Sequence, residues 1–277
     1  MDPDAAWERF KQLRQKQDRG ELPARATVIP LNRSRWLSIA ATLVIILGLA
    51  MLYRMVGKKE EPPIQIAMLQ INSGGNAITD TLPDGTILTL NKNSRLDYPE
   101  VFSDTLREVS MQGEVFFEVA KNPAKPFIIH TGTADIKVLG TSFNIKTRHN
   151  RTEVIVETGL VEVSYNKRRV ELTTGKMVTV QQGDSVLVAE NTSGSLYKYF
   201  RNKQFVCDNT KLSDVAAVLG EAFSVQFVIE DPTVQNMRIT TVFSDEPLDN
   251  ILTIIEETMG LNAQRQGDTV RIQLSKN

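Results

Sequence analysis

A glycine followed by a hydroxyl residue can break its own peptide bond if the backbone is held in the right strain. In VLGTSF, Gly140 precedes Thr141 between two strand-like runs, and glycine reaches backbone geometries closed to other residues. A Thr141 hydroxyl held against the Gly140 carbonyl carbon would attack it. The C–O bond forms as the C–N bond breaks, the hydroxyl proton passes to the nitrogen, and water then cleaves the ester. The same dipeptide also suits a β-bulge, with Thr141 an ordinary strand residue. Gly85-Thr86 and Gly132-Thr133 are similar pairs at turn-like positions.

Other reactive combinations are poorer. His130 and His149 stand apart in strand-rich sequence, without the paired spacing of a metal site. Ser195 and Lys198 spell S-x-x-K, but the partner motifs of a penicillin-binding enzyme are missing. Glu114 and Glu118 can share a strand face about 13 Å apart, too far for paired-carboxylate glycoside chemistry. Cys207 is a lone thiol in strand-like sequence, so no intramolecular disulfide is available and the fold must rest on its cores. The expectation is a chain without metal, cofactor or turnover, self-cleavage apart.

These residues sit in a chain organised around one apolar run. Between Arg35 and Arg54 no charge interrupts LSIAATLVIILGLAMLY, although 23% of the chain is charged. About 18 helical residues rise roughly 27 Å, close to the hydrocarbon thickness of a bilayer. Trp36 and Tyr53 bracket the run as interfacial aromatics should, and Arg35 and Arg54 can snorkel to the head groups. The run lies too far from the N-terminus for a cleaved signal, so residues 35–55 read as a transmembrane helix. Lys16, Arg19, Arg25, Arg33 and Arg35 before it, against Arg54, Lys58 and Lys59 after it, favour the N-terminus inside. A net charge of −1 gives no electrostatic case for nucleic-acid binding.

The tail, residues 1–34, opens with a helical signature. Asp2 can cap, Pro3 suits the first helical position, and Trp7, Phe10 and Leu13 share one face among Glu8, Arg9, Lys11 and Arg14. An apolar stripe in so short a tail has no core of its own to join. It reads as a docking face, a membrane-surface helix or a vestige. After a charged, proline-ended spacer at 56–63, residues 64–192 alternate with period two. AITDTLPDGTILTL is a hairpin turning at Pro83-Asp84-Gly85. In EVFFEVA, Val115, Phe117 and Val119 face one way and Glu114, Phe116 and Glu118 the other, the pattern of an all-β sandwich or roll.

Past a Gly/Ser break at 193–195 the period becomes 3.6. Leu212, Val215, Leu219 and Ala222 mark one helix, and Leu248, Ile251, Leu252, Ile255 and Met259, closed by Gly260, mark another. Short strands surround both, ending in a hairpin at Gly267-Asp268. Residues 196–277 therefore read as a small α+β domain of βαββαββ type. The fold class expected is a single-pass membrane protein with an all-β periplasmic domain followed by this α+β domain.

Four blocks, LPDGTILTLNKNSRLDY, REVSMQGEVFFEVAKNPAKPFIIHT, IKVLGTSFNIKT and GLVEVSYNKRRVELTTGK, resemble in order and spacing the outer domain of the FecR family of anti-sigma factors. Residues 196–275 resemble the C-terminal domain accompanying it in Bacteroidota members, itself similar to the short N-terminal domains of secretins and TonB-dependent receptors. The resemblance implies an inner-membrane relay. Outside, the chain would receive the periplasmic signalling domain of a TonB-dependent outer-membrane transporter. Inside, Trp7, Phe10 and Leu13 would dock an extracytoplasmic-function sigma factor, with no direct nucleic-acid contact. The tail is shorter than the helical cytoplasmic domain usual in the family. Some members are similar to self-cleaving proteins at a pair like Gly140-Thr141. An envelope structural or assembly component anchored by one span is the alternative.

Overall fold

The computed structural model describes residues 3–17, 33–56, 66–192 and 194–275. The proposed Asp2 cap, Ser193, the spacer from 57, and the side chains of Arg35 and Trp36 lie outside the described residues. The chain forms two units, Met1–Ile64 and Gln65–Asn277.

The first unit holds two helices, α1 (Pro3–Gln17) and α2 (Arg33–Val56). Pro3 does stand at the first helical position of α1, where its missing N–H costs nothing. Among the described residues no helix is long and apolar enough to cross a membrane. The side chains described in α2 are those of 41–54, shorter than the about 20 residues that a span takes.

The second unit begins with two seven-stranded sheets. One runs β1 (Met68–Asn72), β4 (Arg95–Pro99), β5 (Arg107–Gln112), β7 (Phe127–His130), β8 (Asp135–Val138), β11 (Leu160–Tyr165) and β12 (Arg168–Thr173). The other runs β14 (Glu190–Asn191), β13 (Lys176–Gln181), β10 (Arg151–Thr158), β9 (Ser142–Arg148), β6 (Glu114–Glu118), β3 (Ile87–Leu90) and β2 (Ile78–Thr81). Every strand pair is antiparallel except β5 with β7. The alternation read from EVFFEVA holds: Val115, Phe117 and Val119 enter the core between the sheets with Leu88, Leu96, Phe127, Phe143 and Ile145. Glu114 and Phe116 take the opposite, outer face and are nonetheless buried.

One charge points inward with the apolar residues. Arg107, Val109 and Met111 are the buried positions of β5, so parity aims a guanidinium at the core, where it is 2% exposed. Arg107 Nη1 meets Asp84 Oδ2 at 2.7 Å and donates to the Ala120 carbonyl at 2.9 Å, while Nε donates to the Lys125 carbonyl at 2.9 Å. The guanidinium also lies over the Phe127 ring, 5.2 Å from its centroid. Asp84 belongs to the β2–β3 turn, where Gly85 takes φ 83° and its N–H donates to the Leu82 carbonyl at 2.9 Å. Arg107 thus ties three segments at one end of the sandwich: β5, the β2–β3 turn, and the strap 120–126 after β6.

The remainder is a second lobe. A 3-10 turn (Leu196–Lys198) and α3 (Tyr199–Asn202) lead into β15 (Gln204–Lys211), α4 (Leu212–Phe223), β16 (Gln226–Ile229), α5 (Pro232–Asn236), β17 (Arg238–Ser244), α6 (Leu248–Met259), β18 (Leu261–Gln266) and β19 (Thr269–Leu274). This is the expected βαββαββ order with two extra short helices, α3 and α5. The strands form two small sheets, β15–β17 and β16–β19–β18. Leu212, Val215 and Leu219 of α4 and Ile251, Leu252 and Ile255 of α6 fill a core separate from that of the sandwich, except that Phe116 joins it. Gly260 ends α6 at φ 65°.

Arg107→Met leaves the nearly buried Asp84 carboxylate without its counter-charge, with only Thr86 donating to it, and frees the strap, so it should cost about 3–5 kcal/mol. Denaturant unfolding of residues 65–277 measures it. A loss under about 1 kcal/mol, the range of an exposed ion pair, would mean that the guanidinium does not hold the sandwich end together.

Candidate functional site

The residues singled out by sequence fall at separate places, and the structure adds a further one that joins the two lobes.

On α1, Trp7, Phe10 and Leu13 are 59%, 55% and 67% exposed. The Trp7 and Phe10 rings stack with centroids 5.7 Å apart, and Glu8 pairs with Lys11 beside them at 3.2 Å. Stacking pre-orders the two rings, which lowers the entropy lost when a partner covers them.

Gly140-Thr141 lies between β8 and β9, against the strap that Arg107 holds. The Val119 N–H, just before the strap, donates to the Thr141 carbonyl at 2.9 Å and the Asn122 N–H of the strap to the Leu139 carbonyl at 2.8 Å, so the pair is held on both sides. Gly140 has φ 152°, and a Cβ there would come within 2.6 Å of Lys121 Cα. No side chain fits at that close approach. A Cβ on Gly159 would come within 2.7 Å of Thr141 Cγ2, which fixes the Thr141 side chain from the other side. Thr141 is 5% exposed, and its Oγ1 is buried without a hydrogen-bond partner. A buried hydroxyl left in that state costs free energy. Gly85-Thr86 differs: Thr86 Oγ1 donates to Asp84 Oδ2 at 2.8 Å. Gly132, with φ 79°, has open space around it.

The third place is the seam where the second lobe rests on the outer face of the sheet containing β6, β9 and β10. Glu114, 5% exposed, accepts from Asn91 Nδ2 at 2.9 Å and from Asn144 Nδ2 at 3.0 Å. Asn91 also reaches Tyr199 Oη at 2.9 Å. Burial first, then the nearby Glu114 and Glu221 carboxylates, push the Tyr199 phenol up to about 12, against the Asn91 hydrogen bond and Arg148. Tyr199 therefore stays neutral here at any physiological pH. Glu221 of α4 binds Lys146 Nζ at 2.6 Å and also Arg148, both from β9. Lys92 Nζ reaches the last turn of α4, donating to Ser224 Oγ at 2.6 Å and to the Ala222 carbonyl at 3.0 Å. A cation there complements the helix dipole. Burial pulls the Lys92 ammonium below its ordinary value, with Glu221 opposing.

At the end of β10 nearer Thr141, Glu157 pairs with Arg201 and, at 3.3 Å, with Lys198. Burial raises the Glu157 carboxyl, and Arg201, Lys198 and Tyr197 more than offset that, leaving it below the ordinary carboxylate range. The Arg201 guanidinium lies 3.5 Å over the centre of the Phe116 ring. A cleft of about 510 Å³ opens along the seam between Glu153, Ile155 and Met177 on one side and Tyr197, Asp214 and Val218 on the other. Burial raises the Glu153 carboxyl; Lys146 and Arg151 counter this and Glu114 and Glu221 reinforce it.

The remaining candidates have ordinary partners. His130 Nδ1 meets Asp135 Oδ1 at 2.7 Å on the surface. Among the described residues no group of three or more potential metal ligands forms. Lys198 is engaged with Glu157. Cys207 is 2% exposed, more deeply placed than a half-buried strand residue, and burial pushes its thiol up to about 11. That suppresses the thiolate on which reactivity depends. Glu114, weighed in the sequence as a possible acid, instead anchors the seam, whereas Glu118 is exposed.

The seam residues were missed individually, although Phe116 was a signal: an aromatic on the polar side of an alternating strand asks for a cover.

The chain matches the family described as FecR protein over residues 70–162, and that described as FecR, C-terminal, over 204–272. Two crystal structures of a "putative anti-sigma factor" from Parabacteroides distasonis ATCC 8503 superpose on it with a TM-score of 0.62 each. Their identities are 27% and 28%, and they cover 75% and 76% of this chain and 100% of theirs. Among curated proteins none matches. Two FecR-type domains in the order of the two lobes, on an anti-sigma-factor architecture, place this chain in the FecR family of anti-sigma factors.

Proposed function

We propose that this anti-sigma factor is a single-pass inner-membrane relay. It would hold an extracytoplasmic-function sigma factor inside and receive the periplasmic signalling domain of a TonB-dependent outer-membrane transporter outside. It does so without enzymatic turnover. The observation that carries this reading is the separation of an uncovered aromatic stripe on α1 from the two FecR-type lobes by a long apolar helix. α2 is helical over 24 residues, roughly 36 Å at 1.5 Å each. Its described apolar side chains, from Leu43 to Tyr53, are 55–81% exposed. Such a surface is stable in lipid and costly in water. The charge bias across residues 35–55 favours the tail in the cytoplasm and so both lobes in the periplasm.

A reporter active only in the periplasm, fused after Asn277, should be active. Activity of a cytoplasm-only reporter at the same position would reverse the topology.

The two binding functions should be separable. Replacing Trp7, Phe10 and Leu13 together by Ala should abolish capture of the cognate sigma factor, because rigid apolar anchors carry most of such an interface. The same variant should keep the transporter's signalling domain. Deleting residues 196–277 should do the reverse, since small α+β modules recognise partners by pairing at sheet edges. Equal recovery of sigma factor by parent and triple variant would remove the docking role of α1. Retained transporter binding by the truncated chain would move the receptor site into the sandwich.

The buried, partnerless Thr141 hydroxyl beside the strained Gly140 supports a second, single-turnover reading: N-to-O acyl shift at Gly140-Thr141 followed by hydrolysis. Purified outer lobes should then appear as two fragments, the second beginning at Thr141. Thr141→Ala should stay whole, and Thr86→Ala and Thr133→Ala should cleave like the parent. A parent that remains intact after prolonged incubation would exclude the reaction.

A further inference from the structure

The seam between the lobes is built unlike either core. Its crossing contacts are ion pairs and polar hydrogen bonds: Glu221 with Lys146 and Arg148, Glu157 with Arg201 and Lys198, Lys92 with the end of α4, and Asn91 with Tyr199. From the sandwich, Phe116 alone joins the apolar cluster of the second lobe. Permanent interfaces are more apolar and close-packed, whereas parts that separate meet through polar surfaces. The fit also leaves polar atoms unmatched. Asn144 Oδ1 and Arg201 Nε are buried without hydrogen-bond partners, a cost that opening to water would relieve. Clefts of about 510 and 310 Å³ follow the line of contact. Two acidic residues, Glu157 and Glu221, hold most of the charge-paired contacts, so the closed state depends on few side chains.

We infer that this seam is a latch: the second lobe swings off the outer sheet face when the Glu157 and Glu221 clusters break, uncovering Phe116, while both lobes stay folded. This goes beyond the relay function and does not depend on cleavage at Thr141. The geometry assigns the roles. Glu221 pins α4 to the β9 end of the hairpin, and Glu157 pins the lead-in turn and α3 to the other end. Between them Arg201 covers the Phe116 ring. The chain passes between the lobes once, by way of Gly194, which has φ 84° and where a Cβ would meet nothing within 4 Å.

The two tryptophans of the chain are Trp7 and Trp36, so residues 65–277, which contain both cores, carry none. Phe116→Trp therefore places a single fluorescent reporter under the latch. In low salt it should be shielded from acrylamide. With Glu157→Gln and Glu221→Gln added, quenching should rise several-fold with unchanged far-UV circular dichroism. Salt raised from about 0.01 M to about 1 M, which shortens the screening length from about 30 Å to about 3 Å, should shift the reporter the same way. Equal quenching with and without the two Gln changes would overturn the latch. If the reporter variant misfolds, trypsin decides on otherwise unsubstituted protein. Cleavage after Lys198 or Arg201 should quicken about tenfold with the two Gln changes, as local opening controls access. An unchanged rate there would overturn it equally.

Discussion

A single inward-pointing guanidinium sets the geometry of the β-sandwich. Strand parity forces Arg107 into the sandwich between Val109 and Met111, and no arrangement of β5 that keeps those residues buried can expel it. An unpaired charge in such a place is costly. The surrounding chain supplies partners to Nη1 and Nε, leaving Nη2 buried without one: Asp84 from one hairpin turn, two carbonyls from the strap, and the Phe127 face. The partners come from three segments, the β2–β3 turn, the strap and β7, so one side chain fixes how these close the end of the β-sandwich. The strap so fixed is the one whose backbone lies against Gly140 at Lys121 and whose Asn122 N–H bonds the Leu139 carbonyl just before that glycine. The conformation of the Gly140-Thr141 pair is thus a consequence of Arg107, at one remove.

Sheets and helices were legible because burial on one face writes a period into the chain. Val115, Phe117 and Val119 have no other reading, and the spacing of Leu212, Val215 and Leu219 by itself identifies α4. The hairpins at Gly85 and Gly267 were visible as turn chemistry. What stayed hidden depends on contacts between distant segments. Nothing local distinguishes Glu157 or Glu221 from any other glutamate on a solvated face; only the arrival of the second lobe makes them clasp residues. The division of the second lobe into two small sheets was equally unreadable, since periodicity tells which residues are strands and not which strands pair.

Two residues stand out against the pattern in the sequence itself. Arg107 occupies a core-parity position in REVSMQ, and a charge at such a position demands a partner. Phe116 occupies a polar-parity position in EVFFEVA, and an exposed phenylalanine demands a cover. Both are departures from an otherwise consistent pattern, and both mark places where the structure does something beyond forming a core. The membrane reading stands apart from these: it rests on length and apolarity of one run, and on the exposed side chains of α2.

The same hairpin serves two neighbouring devices, and that placement constrains how they can act. β9 begins directly after Thr141 and ends at Arg148 in the Glu221 cluster; β10 returns to Glu157, then Thr158, whose hydroxyl accepts from the Ser142 N–H at 3.0 Å, then Gly159 against the Thr141 methyl. A force on the second lobe enters this hairpin through Glu157, two residues from the contact that fixes Thr141. Packed interiors pass small displacements on because they have no free volume to absorb them. The strap on the other side is held by Arg107. Thr141 therefore lies between the end of β10 that carries Glu157 and a strap tied to the sandwich core. A change in lobe position would be felt there as a change in the side chain's fit, not as a general loosening of the sandwich.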